Sequence, residues 1–220
     1  MLIMDWIILN NVHNDWISIL IFSNLVLLSF TKWKYNRKLT SFFKSIDPSV
    51  YFNNYGNNFF FNRLFGINIF IFSIVNISLC ITFILSTFGS MKLYFIQFLI
   101  LFSFLISVGF LSHLLTSFIG GLLAIKRETL AYSFNNFRLL FRVSIFIFIS
   151  LFIHHFYFFN TPIFIKIIFC CAILLYYTNG FIIAFKFLRN INRGKFYFIL
   201  YLCTLKFSPW VFIYWFINNN

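Results

Sequence analysis

Residues 196–217, FYFILYLCTLKFSPWVFIYWFI, decide how the chain is read. The run is long enough to cross a bilayer as a helix, which takes about 20 apolar residues. Lys206 sits halfway along it, with Pro209 one turn later. At about 1.5 Å per residue, the Lys206 Cα lies roughly 15 Å from either interface. Snorkelling to water is hard from that depth, and a charge held there is costly. Pro209 donates no hydrogen bond to the Leu205 carbonyl, and its ring pushes that carbonyl aside. The freed carbonyl and the ammonium group form a local pairing that neighbouring helices would have to bury. At 100° per residue, Tyr197, Tyr201, Thr204 and Ser208 share one stripe while Lys206 points away from it. A helix with two polar faces must be packed.

The rest of the chain has the same character. Its 220 residues are 61% hydrophobic and 10% charged, with a positive mean hydropathy, so the chain is read as a polytopic membrane protein. The expected fold is an all-α transmembrane bundle forming one integral membrane domain over residues 1–220. Six spans are expected, at about 16–31, 64–88, 93–118, 139–159, 163–185 and 196–217. Residues 1–15 read as an interfacial arm. Residues 32–63 read as an inner loop with a short surface helix, and the connector before the fourth span as polar and aromatic. The apolar run from Leu93 to Ile125 is longer than a bilayer needs, so it must tilt or break near Gly120 and Gly121.

The charge of +13 follows these spans. Lys32, Lys34, Arg37, Lys38, Lys44 and Arg63 follow the first span. Lys126, Arg127, Arg138 and Arg142 lie between the third and fourth. Lys186, Arg189, Arg193 and Lys195 precede the last. Only Lys92 and Lys166 fall on the opposite side. Fourteen basic residues against two place the basic segments on the cytoplasmic side and both termini outside. The N-terminus carries Asp5 and Asp15 and no cleavage pattern, so no removable signal is expected. No internal repeat of the inverted-transporter kind is evident.

The run from Lys195 to Cys203, continuing to Pro209, resembles the C-terminal signature of a Bacteroidota family. That family comprises uncharacterised inner-membrane proteins grouped as a domain of unknown function. Asn14-Asp15-Trp16-Ile17 resembles the family's opening, and Tyr51-Phe52 with Tyr55-Gly56 its first inner loop. The resemblance implies a bacterial inner-membrane location and no particular activity. Lys206 departs from the carboxylate expected near this point of the signature.

Groups that carry chemistry are sparse. The carboxylates are Asp5, Asp15, Asp47 and Glu128, none of them expected in the bilayer core. Proton-coupled transport and metal-assisted group transfer usually need such groups there. His113 lies near the inner side, whereas His154 and His155 lie nearer the outer side. Their depths differ by roughly 20 Å, too far to share a metal. His13 and Asp15 come within reach of the histidine pair, but interfacial histidines bonded to backbone or water are the simpler reading. Cys80, Cys170, Cys171 and Cys203 lie in apolar runs without metal-ligand spacing, and read as buried. No metal or cofactor is expected. Ser103 with Ser107, and Ser112 with Thr116 and Gly120, recur every four residues, so the third span is expected at the centre of the bundle.

Three readings of Lys206 stay open: neutral and packed on aromatics, paired with a carboxylate of another subunit, or facing an anionic lipid or substrate. The expected partners are the bilayer and other membrane protein subunits, with no nucleic acid. The expected function is that of a structural, assembly or accessory subunit, with Lys206, Pro209, Tyr197, Tyr201, Thr204 and Ser208 as its contact region. The alternative is a carrier or enzyme holding an anionic lipid or isoprenoid headgroup with Lys206, Arg138, Arg142, Arg189 and Arg193.

Overall fold

A computed structural model describes residues 15–44, 64–88, 95–122, 126–157 and 162–190. All of these are helical: α1 Asp15–Lys44, α2 Leu64–Phe88, α3 Phe95–Leu122, α4 Lys126–Tyr157 and α5 Pro162–Asn190. Each contains a segment long and apolar enough to cross a membrane. Pro162 opens α5, where its missing N–H costs nothing and its φ suits a helix.

Side-chain pairs fix how the helices run. Thr31 meets Asn68 and Tyr35 meets Phe65, so α1 and α2 are antiparallel. Phe70 meets Phe137, Ser73 meets Ser144 and Phe83 meets His154, so α2 and α4 run the same way. His154 of α4 stacks on Phe164 of α5. The bundle therefore has a basic end, holding the C-terminal part of α1 and the N-terminal parts of α2 and α4. Its other end holds His154, His155 and Trp16, where Trp16 packs on Phe95 and Phe98 of α3.

The centre of the bundle is α2, which packs on all four other helices. Buried residues make up 72% of the α2 span and 6% of the α3 span, so the expectation of a central third span is corrected. Ser103 and Ser107 lie about 180° around α3 from Ser112, so the two small-residue stripes cannot both face the bundle. The inward side carries Gly109 and Thr116, while Ser103 and Ser107 are exposed. A Cβ on Gly109 would lie 3.0 Å from the tip of the Phe70 ring, so this glycine admits that ring.

The bounds of three elements sharpen the sequence reading. Beyond Thr31, α1 continues to Lys44, departing from helical geometry at Tyr35 (φ −127°, ψ 34°), which puts the first basic cluster on a helix. The connector before the fourth span belongs to α4, which starts at Lys126 rather than near 139. α3 includes Gly120 and Gly121 and ends at Leu122, short of the end of the apolar run at Ile125.

Candidate functional site

Polar side chains inside the bundle run along the contacts of α1, α2 and α4. Most bond to their own helix. Ser73 Oγ donates to the Ile69 carbonyl at 2.8 Å, Ser78 to Val75 at 2.9 Å, Thr82 to Ser78 at 2.7 Å and Thr31 to Leu27 at 2.8 Å. A hydroxyl satisfied one turn back can be buried without a partner helix, so these residues act largely as small packing groups. The interhelical links are fewer. Ser144 Oγ, which donates to the Phe141 carbonyl at 2.8 Å, lies 3.2 Å from Ser73 Oγ, and Asn68 Nδ2 donates to Thr31 Oγ1 at 3.4 Å. At the histidine end, Ser18 Oγ lies 2.8 Å from His155 Nε2. The neighbouring His154 is buried between the Phe164 face and the Phe83 ring, with ring centroids 5.9 and 5.4 Å away. The histidine pair is thus packed into the bundle rather than bonded only to backbone or water. Among the described residues, no group of three His, Cys, Asp or Glu could hold a metal ion.

The basic end joins cations to an aromatic core. Phe42, beyond the α1 break, inserts among Phe65, Phe134 and Phe141 at centroid distances of 6.2, 5.8 and 5.8 Å. Tyr35 packs on Phe65 at 5.5 Å, and the Lys34 and Lys38 ammonium groups each lie 5.7 Å from the Tyr35 centroid. Such cation–ring contacts are worth about 0.5–1 kcal/mol where water still reaches the ammonium. Lys34 also lies 5.8 Å from the Phe30 ring. Lys32, Arg37 and Arg142 are exposed, whereas Arg138 is 5% exposed and belongs to the interior. Trp33, 80% exposed between Lys32 and Lys34, has the aromatic–cationic setting of a membrane interface.

The residues singled out from sequence are thus divided. Lys32, Lys34, Arg37 and Lys38 lie on the C-terminal part of α1, and Arg138 and Arg142 on the N-terminal half of α4, towards the same end of the bundle. Lys44 ends α1 and Arg189 lies in the last turn of α5. Arg193, Tyr197, Tyr201, Thr204, Lys206, Ser208 and Pro209 lie outside the described residues, as do His13 and Cys203. Cys80 is buried as expected, but Cys170 and Cys171 are exposed on α5, so for that pair the expectation is corrected. An apolar run buries a cysteine only on the side that packs, and a side turned to lipid can be equally apolar.

Sequence reasoning passed over the buried amides Asn24 and Asn76, 3% and 1% exposed, and the Ser73–Ser144 contact. The available signal was the recurrence of Asn68, Ser73, Asn76, Ser78 and Thr82 within one apolar run. Five helices long and apolar enough to cross a membrane, four of them packed on α2, are those of a multi-pass membrane protein. The chain belongs to the family described as a domain of unknown function, DUF4271, which matches residues 17–217. No curated protein and no solved structure matches it.

Proposed function

We propose that the chain is an accessory or assembly subunit of a larger complex in the inner membrane of a Bacteroidota bacterium. It forms one membrane domain with a sixth span at residues 196–217, its basic end in the cytoplasm and both termini outside. The gathering of Lys32, Lys34, Arg37, Lys38 and Arg142 at one end supports the orientation, since basic residues are retained on the cytoplasmic side.

The observation that carries the subunit reading is an amide on the surface that the described helices leave exposed. Thr178 and Asn179 are exposed within the α5 span. Asn179 Nδ2 donates to the Leu175 carbonyl at 2.9 Å, which leaves the amide oxygen as an outward acceptor. Lipid tails offer that oxygen no donor, whereas an adjoining membrane helix does. Ser103 and Ser107 are exposed small residues on α3, with the Ser107 hydroxyl donating to the Phe104 carbonyl at 2.8 Å, and small residues of this kind let a neighbouring helix approach. Lys206, Pro209 and the stripe of Tyr197, Tyr201, Thr204 and Ser208 extend the proposed contact region onto the last span.

Photo-crosslinking in native membranes tests this reading, with the reactive side chain placed at 179, 107 or 206 in turn. A discrete adduct with one other membrane protein is the expected result. Adducts confined to the chain itself at all three positions would contradict it. A specific anionic lipid at 206, with no protein adduct, would replace it with the carrier or enzyme reading.

A further inference from the structure

We infer that Asn24 of α1 and Asn76 of α2 hold an ordered water molecule at the junction of α1, α2 and α4, deep in the bundle. Both side chains are almost wholly buried, at 3% and 1% exposure. Each has one polar atom without a hydrogen-bond partner: Nδ2 of Asn24, a donor, and Oδ1 of Asn76, an acceptor. The other polar atom of Asn76 is engaged, with Nδ2 donating to the Phe72 carbonyl at 2.7 Å. Its carboxamide is therefore held with the oxygen turned away from its own helix.

The register of the helices brings these two atoms to one level. The Asn68–Thr31 hydrogen bond fixes where α1 crosses α2. Asn24 lies about two turns from Thr31, and Asn76 slightly more than two turns from Asn68 in the matching direction. The two levels agree within roughly 2 Å. Helical phase adds direction. Asn24 lies within about 20° of Thr31, on the side of α1 that meets α2. Asn76 projects between the side of Asn68, which meets α1, and that of Ser73, which meets α4 through Ser144.

A buried donor and a buried acceptor facing one junction suit water, which accepts from the first and donates to the second. Ordered internal waters occupy such places when two or more polar groups converge. Lipid supplies no hydrophobic drive between helices, so a bridge at this depth also fixes α1 onto α2.

The test uses the full chain purified in lipid nanodiscs, with Asn24→Leu, Asn76→Leu and the double variant compared by thermal unfolding. Removing one amide strands its counterpart, while removing both leaves two apolar groups of similar size. Each single variant is expected to lower the unfolding midpoint by about 2–4 °C, and the double variant to recover most of that loss. Additive losses, or single variants without effect, would overturn the inference. An experimental density map of the unmodified protein provides a second readout, independent of how the variants fold. Density for a water within hydrogen-bond distance of both amides supports the site, and direct amide–amide contact, or apolar side chains filling the space, overturns it.

Discussion

Phe42 closes the basic end of the bundle. It is 1% exposed and touches one ring of α2 and two of α4. Phe42→Ala should destabilise the protein by about 3–5 kcal/mol, since three rings cannot collapse into the space together. Thermal unfolding in nanodiscs would show this as a large drop in midpoint. Ser18→Ala, which removes the contact to His155, should cost only about 0.6 kcal/mol, the average for hydrogen bonds between membrane helices. Measured side by side, the two variants test whether aromatic packing outweighs polar links here. Gly109→Val should cost about 1–3 kcal/mol by displacing Phe70, despite the better helix propensity of the larger residue. At this scale the sequence was least legible. Thirty-eight phenylalanines give no sign of which ones meet, and Phe42 stands out only because α1 continues past its break at Tyr35.

Among the elements, α2 is the one around which the others are arranged. Its small residues account for that position: Gly66, Ser73, Ser78, Cys80 and Thr82 are all buried, and they let neighbouring backbones approach closely. The existence of five apolar helices was legible, because apolar runs of this length have few alternatives. Their order of burial was not. A helix turned to lipid and a helix turned to protein can carry the same apolar residues, and the regular serine spacing of α3 pointed to the wrong one. The reach of α1 and α4 beyond their apolar cores was also hidden, since Lys, Arg, Asn and aromatic residues at a membrane surface suit a loop or a helix alike. The proposed orientation rests on charge, so it can be reversed by charge. In a background without native cysteines, Trp33→Cys should react with an impermeant maleimide only after the inner membrane is opened. Changing Lys32, Lys34, Arg37 and Lys38 to Gln together should expose a fraction of position 33 to reagent added from outside. Labelling from outside without those changes would contradict the cytoplasmic assignment.

At the scale of the whole molecule, hydroxyls inside and outside the bundle alike are satisfied within their own helices, and the amides are what differ. Inside, most hydroxyls bond within their own helix, the histidine pair is packed against Ser18, Phe83 and Phe164, and two buried amides are assigned a shared water. Outside, the Thr178 and Ser107 hydroxyls are satisfied in the same way, donating to Leu174 and Phe104, whereas the Asn179 carboxamide keeps an oxygen that hydrocarbon cannot satisfy. That outward acceptor is why we propose a subunit rather than a self-contained catalyst. Lys206 lies outside the described residues, and its proposed contact role is tested through association. Lys206→Leu should weaken association and leave membrane insertion intact, as measured by comparing the amount of partner recovered per inserted chain. The most direct test is purification of the tagged protein from its native membrane in lipid nanodiscs, with proteins and lipids identified together by mass spectrometry. The account predicts one membrane protein partner in stoichiometric amount, and recovery of the chain alone or with lipid only would contradict it.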